Sequence, residues 1–157
     1  MNNDNVLVNL LMPYENQGWT PARPTSEEAI VAVENKLQLN FPDLYRKLLL
    51  YSDGGELEIG EAFINLFDSD YLRELNPHPV WSTGLPGMVF FGDDQGDYLY
   101  YFDPKNRLGH GNWAVYGVSM GSCSVERSMY LAQDITHLFR RILNGEDVLS
   151  DSYLKDE

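Results

Sequence analysis

The stretch Gly87-Met-Val-Phe-Phe-Gly-Asp-Asp-Gln-Gly-Asp-Tyr-Leu-Tyr-Tyr-Phe102 places two apolar runs on either side of a short acidic insert. Met88 to Phe91 and Tyr98 to Phe102 are rich in β-branched and aromatic side chains. Residues Gly92 to Asp97 supply the positive-φ positions that a tight loop requires, so the stretch reads as a β-hairpin. Nearly every position of both arms is apolar, which predicts a central strand pair covered on both faces. The tip carries Asp93, Asp94 and Asp97, negative charge held on the stiffest support in the chain.

Working outward, the upstream text is helical. Thr25-Ser-Glu-Glu28 reads as a capping box in which the Thr25 hydroxyl accepts from a first-turn amide and Glu28 reaches back. It opens a helix to about Leu37 with Ile30, Val33 and Leu37 on one face. Asn40-Phe-Pro-Asp43 starts a second helix, with Pro42 at a first-turn position, Leu44, Leu48 and Leu49 facing inward, and Gly54-Gly55 as the stop. Before these, residues 5–12 predict a short helix ended by Pro13, then a loop through Gly18, Trp19, Pro21 and Pro24. Between the second helix and the hairpin, 56–67 reads as edge strands with charge facing water, and 68–75 as a short helix capped by Asp68 or Ser69.

Beyond the hairpin, 103–111 reads as a loop, 113–118 as a strand, 119–128 as turns and 129–132 as a last strand. Asp134 then caps a helix whose Ile135, Leu138, Phe139, Ile142 and Leu143 follow the i, i+3, i+4, i+7, i+8 spacing, closed by Gly145. Helices and strands do not alternate, so the pattern predicts an α+β fold with a mainly antiparallel central sheet flanked by helices. One domain is expected over residues 1–157, with 1–24 and 146–157 peripheral. A chain of this length typically buries roughly 70% of its unfolded surface, enough for a core without staples.

Cys123 is the only cysteine, so no internal disulfide forms and a reducing compartment is the simpler expectation. No Lys or Arg precedes Arg23, and the N-terminal apolar run is too short for a signal peptide or a membrane span. These features predict a cytoplasmic protein without membrane contact. The charge is more informative, with 24 acidic against 11 basic side chains, a formal −13, beside 13% aromatic residues. Aromatic content of that order belongs to a folded domain and not to an acidic tail, and the charge disfavours direct nucleic-acid binding. From Asp53 to Asp97 ten acids face the single base Arg73, a net −9. That concentration points to a basic protein partner.

A capped helix, then Leu37-Gln-Leu-Asn-Phe-Pro-Asp-Leu-Tyr-Arg-Lys-Leu-Leu-Leu50 running to Gly54-Gly55, then an apolar strand into Gly92-Asp-Asp-Gln-Gly-Asp97 and an aromatic strand, and finally Asp134-Ile-Thr-His-Leu-Phe-Arg-Arg-Ile-Leu143 form an ordered series. The series resembles the SUKH superfamily, which takes its name partly from the yeast Smi/Knr-type regulator of cell-wall glucan synthesis. The likeness spans roughly Thr25 to Gly145. It implies an α+β fold and, for many bacterial members, service as immunity proteins that bind and neutralise toxins, often nucleases. Residues 103–112 and the first 24 have no counterpart in that likeness.

Other motifs carry less. Gly117-Val-Ser119-Met-Gly121 matches the nucleophile-elbow pattern, but an elbow needs a helix directly after the serine, and 122–127 lacks helical periodicity. Asp134 and His137 stand three apart on one helix, poorly placed to aim one imidazole at Ser119. Asp93, Asp94 and Asp97 lack the bidentate Glu of a calcium loop, since Pro104 stands at the twelfth position. They read as turn-bonding residues compatible with a partner contact. His78, His110 and His137 have no metal-ligand spacing. Trp19, Trp81 and Trp113 lie in or beside loops, where they anchor a partner or, for Trp113 above all, pack into the core.

The combined reading is a binding protein without enzymatic activity, cofactor or metal. Its foremost function is that of an immunity protein occluding a basic toxin domain, with Asp53, Glu56, Glu58, Trp81, Asp93, Asp94 and Asp97 as the contact residues. The alternatives are a scaffold or regulator of cell-wall assembly or signalling and, further off, a small serine hydrolase. An immunity gene sits beside a large secreted toxin gene, whereas a regulator's need not. If Ser119 is no nucleophile, a serine-directed fluorophosphonate probe leaves the protein unlabelled; labelling that vanishes in Ser119→Ala overturns this.

Overall fold

The hairpin forms where its pattern places it, as β4 (Val89–Asp93) and β5 (Tyr98–Asp103), in a computed structural model that describes residues 5–76 and 83–149. The other strands are β1 (Trp19–Pro21), β2 (Gly55–Ile59), β3 (Ala62–Leu66), β6 (Ala114–Ser119) and β7 (Met129–Ala132). They lie in chain order in one seven-stranded sheet, every neighbouring pair antiparallel. This meander puts β4 at the centre, where its run of buried residues belongs. Helices α1 (Val6–Leu11), α2 (Glu27–Leu37), α3 (Asp43–Tyr51), α4 (Ser69–Leu75) and α5 (Ile135–Leu143) complete the expected α+β architecture, with α2 and α3 inserted between β1 and β2.

The core is aromatic. Phe91 of β4 stacks on Phe102 of β5 with ring centroids 4.1 Å apart, and Tyr45 of α3 meets Phe102 edge-on at 5.1 Å. Phe41 and Trp113 extend the cluster, so helices cover this face of the sheet. Phe90, Leu99, Tyr101 and Tyr116 point to the other face by strand alternation. Loops cover that half. The Tyr101 hydroxyl donates to Ser128 Oγ at 2.6 Å, Arg107 donates to the Pro86 carbonyl, and His110 stacks on Tyr130 at 4.0 Å.

The pairing of β3 with β4 is short, joining only Asn65 to Asp93 and Leu66 to Gly92 in register. Past its end, the buried Asn76 takes the place of a strand neighbour. Its Oδ1 accepts from Phe90 N at 2.6 Å and its Nδ2 donates to Phe90 O at 3.1 Å. A side-chain amide thereby satisfies main-chain groups that would otherwise be buried unpaired.

Several expectations are corrected. The α2 cap is Ser26, which accepts from Ala29 N, and Thr25 bonds instead to the Ser69 hydroxyl. Tyr45, and not Leu44, joins Leu48 and Leu49 on the inner face of α3, because the helix begins at Asp43 and the i, i+3, i+4 set starts two residues in. Residues 56–67 do form strands, but interior ones, since β1 pairs alongside β2 and takes the edge. Gly92 and Gly96 do not adopt positive φ; Gln95 does, at 58°. Gly92 is needed for proximity, because a Cβ there would stand 2.8 Å from the Asn65 carbonyl.

The segments read as peripheral contribute to the core. Leu7, Leu11 and Trp19 are wholly buried, and Val148 and Leu149 are buried beside Gly117. Trp19 Nε1 donates to the Tyr51 hydroxyl at 2.9 Å, and that hydroxyl donates to Glu15, tying the N-terminal segment to α3. The expected last helix is present: Asp134 accepts from His137 N, and Leu138, Phe139 and Ile142 are wholly buried. Phe139→Ala is expected to cost about 3 to 5 kcal/mol in a denaturant titration. An unchanged midpoint would remove α5 from the core.

Candidate functional site

The loop-covered face does not extend across the whole sheet. Over β2 and β3 the same face presents Glu56 and Glu58, both exposed, with Phe63 and Asn65 half-buried beside them. Glu56 is opposite Asn65, Asn65 is opposite Asp93, and Glu58 is opposite Phe63. Asn65 Nδ2 donates to Asp93 Oδ1 at 3.1 Å, closing the row Glu56, Asn65, Asp93 across three strands.

Asp93 reaches this face because of a β-bulge. The register between β4 and β5 shifts between Phe90 and Gly92, so Phe91 is the extra residue. Regular alternation from Phe90 would have turned Asp93 under the helices; the added residue turns it to the open face instead. Next to it lies a groove of about 300 Å3, lined by Asn65, Leu66, Phe67, Asp68, Tyr71 and Asp93. Tyr71 is 45% exposed and packs edge-on against Phe67 at 4.7 Å. The groove therefore offers two carboxylates and a phenol rim, with no basic residue in its lining.

Asp94 and Asp97 behave differently from Asp93. Asp94 Oδ1 accepts from Gly96 N at 2.9 Å and Tyr98 N at 3.1 Å, the turn-forming role expected at a hairpin tip. It also lines a second pocket, of about 380 Å3, with Glu61, Phe63, Tyr98, Tyr100 and Asp147. Burial, with the Asp94, Asp147 and Asp93 carboxylates adding to it, pushes the Tyr100 phenol well up, so it stays a neutral donor, to the Phe63 carbonyl. Asp97 is exposed.

Asp53 stands apart from the open face. Its Oδ1 accepts from Ser69 N at 2.7 Å and its Oδ2 from Ser69 Oγ at 3.1 Å, so it ties the turn after α3 to the first turn of α4. Trp81 lies outside the described residues. Of the sequence-derived contact set, Glu56, Glu58 and Asp93 are brought together. The groove residues Asn65, Asp68 and Tyr71 were missed, because only the pairing of β3 with β4 and the start of α4 bring them together.

The groups that might do chemistry are otherwise occupied. Ser119 ends β6, its Oγ accepts from Gly121 N at 3.3 Å, and a 3-10 turn over Met120–Ser122 follows where an elbow needs a helix. Burial pushes the Cys123 thiol up, and the thiol donates to the Ser119 and Met120 carbonyls, which disfavours the nucleophilic thiolate. His137 pairs with Asp134 at the start of α5. Among the described residues no group of three or more His, Cys, Asp or Glu side chains is placed to hold a metal ion, and no helix is long and apolar enough to cross a membrane.

Residues 24–141, three quarters of the chain, match the sequence profile of the SMI1 / KNR4 family (SUKH-1). No curated protein matches the chain.

The pKa of Asp53 provides a check on its structural role. Burial raises it, more than the two Ser69 hydrogen bonds lower it, with Asp68 and Asp70 adding to the rise. A carboxyl raised in the folded state favours folding most when protonated, below its unfolded pKa of about 4, and that contribution is lost as pH rises through the folded pKa. Asp53→Asn keeps an acceptor for Ser69 N without the charge. Its stability relative to the parent is expected to rise from acid to neutral pH in parallel denaturant titrations; a relative fall would refute this account.

Proposed function

The chain belongs to the SMI1 / KNR4 family (SUKH-1), and from that premise we propose that it is a non-enzymatic immunity protein that binds and occludes a basic toxin domain. Family membership fits a protein-binding role, and the open row Glu56, Asn65, Asp93 carries the assignment of the partner's charge. The row combines three conditions of a recognition surface. It is exposed at Glu56 and Glu58, it is rigid because each residue sits on a paired strand, and the groove beside it is lined by carboxylates and an exposed tyrosine.

Rigidity matters because association otherwise loses free energy in ordering side chains and loops. Carboxylates on interior strands are already positioned, and the Asn65 bond holds Asp93 in place. Tyr71 contributes an amphipathic ring of the kind that anchors interfaces, next to Asp68 and Asp93. Where the partner's own site is basic because it handles nucleic acid, these carboxylates stand in for phosphates and cover it. A surface of this kind acts mainly on the association rate, which salt slows on the scale of a Debye length of roughly 8 to 10 Å.

The test pairs the chain with the toxin encoded beside its gene. Co-expression is expected to protect cells, and the purified pair to associate at a rate that falls steeply with salt. Glu56→Gln with Glu58→Gln, two exposed positions without hydrogen bonds to the fold, should slow association and flatten the salt dependence. Equal rates and equal slopes for parent and variant would sink the proposed face. Absence of both protection and binding would leave the scaffold reading in its place.

A further inference from the structure

At the end of the sheet away from the hairpin tip, a pocket of about 310 Å3 opens where α3 and α5 begin. Pro42, Asp43 and Leu44 form one side, Asp134, Ile135 and Thr136 another, and Phe102, Asn112 and Trp113 the remainder. Trp113 is a fixed wall. Its ring sits edge-on to Phe41 and Phe102, with centroids 5.9 and 5.4 Å apart, and its amide donates to the Asp103 carbonyl at 2.7 Å. The Asp103 side chain holds the adjoining loop by accepting from Arg107 N and Leu108 N.

Two features mark this pocket as a receptor site. Thr136 is 5% exposed, yet its Oγ1 has no hydrogen-bond partner among the described residues. A buried hydroxyl left in that state costs free energy that a ligand can recover. The ionisable residues of the lining are Asp43 and Asp134, both carboxylates, in a chain of net charge −13. Lys47 holds one Asp43 oxygen and His137 pairs with Asp134 Oδ1, which leaves each carboxylate a second oxygen.

We propose that this pocket receives an arginine side chain of a basic partner protein, as an anchor separate from the Glu56 to Asp93 row. It shares with the proposed function only the premise of a basic partner. The methylenes of an arginine match Pro42, Leu44 and Ile135, and its planar guanidinium matches the face of Trp113. Its donors match the acceptors present, namely Thr136 Oγ1, the Asn112 amide oxygen and the two carboxylates. An anion is repelled by Asp43 and Asp134. A purely apolar side chain leaves the Thr136 hydroxyl unpaired, and a lysine ammonium cannot lie flat on the indole. The carboxylates also offset the positive ends of α3 and α5, which would otherwise disfavour a cation.

The probe is N-acetyl-arginine methylamide, titrated into the full chain and followed by amide and indole chemical shifts, with the isosteric neutral citrulline amide and the lysine amide as controls. Saturable shifts are expected at the Trp113 indole and at the Asn112 and Thr136 amides, with the citrulline amide about tenfold weaker or more, the loss expected for a charge-assisted contact. Thr136→Val, isosteric and without the hydroxyl, and Asp43→Asn, at an exposed position, should each weaken the arginine response while leaving the rest of the spectrum unchanged. No saturable shift at the pocket, equal response to the citrulline amide, or undiminished response in both variants would overturn the proposal. Shifts confined to Glu56, Glu58 and Asp93 would overturn it too, while leaving the carboxylate face intact.

Discussion

The bulge at Phe91 is the constraint on which the rest of the molecule depends. One extra residue in the central strand lets Phe91 stack on Phe102 beneath Tyr45 while Asp93, two residues on, faces the opposite way. Without it the strand would face a choice between packing its aromatic residues and exposing its carboxylate, since strand alternation ties the two together. Gly92 makes the bulge possible, because β3 approaches so closely that a Cβ would meet the Asn65 carbonyl at 2.8 Å. The Phe91 carbonyl displaced by the bulge accepts from Phe67 N at 2.9 Å, so the irregularity leaves no buried group unpaired.

Local signals were the legible ones. The α5 stripe and its Asp134 cap, the Asp68 cap of α4 and the two hairpin arms all depend on residues within a few positions of each other, and each stands where its pattern puts it. The misreadings came from tertiary competition. Thr25 and Ser26 are equally good caps in isolation, and the choice fell to Ser26 because Thr25 reaches Ser69 across the fold. Three residues containing Pro21 carry almost no strand signal, so β1 was invisible without the partner β2 that gives it a role.

The candidate sites divide along the same line. Glu56, Glu58 and Asp93 were legible as acids near a hairpin, but their shared face follows from the register of three strands and from the bulge. Asp53 looked equivalent by charge and is not, since Ser69 occupies both of its oxygens. The pocket around Thr136 draws on α3, β5, the loop before β6 and α5, and no local pattern announces residues brought together from such distances.

The N-terminal segment also decides how a partner can engage the sheet. Had β2 been the edge, its free main-chain groups would have invited an added strand. Instead β1 pairs with it, and Trp19 anchors that pairing from the core through Tyr51, whose phenol burial and the Glu15 bond push up to about 12, so it remains a donor across the physiological range. The edge moves out to a three-residue strand that ends in proline, too short to template another chain. At the opposite edge the Arg141 guanidinium donates to the Leu131 carbonyl at 2.6 Å and blunts β7. With both edges guarded, strand addition is disfavoured, and recognition is left to side chains on the open face. There the acidic residues of β2, and Asp93 held by Asn65, provide the charge.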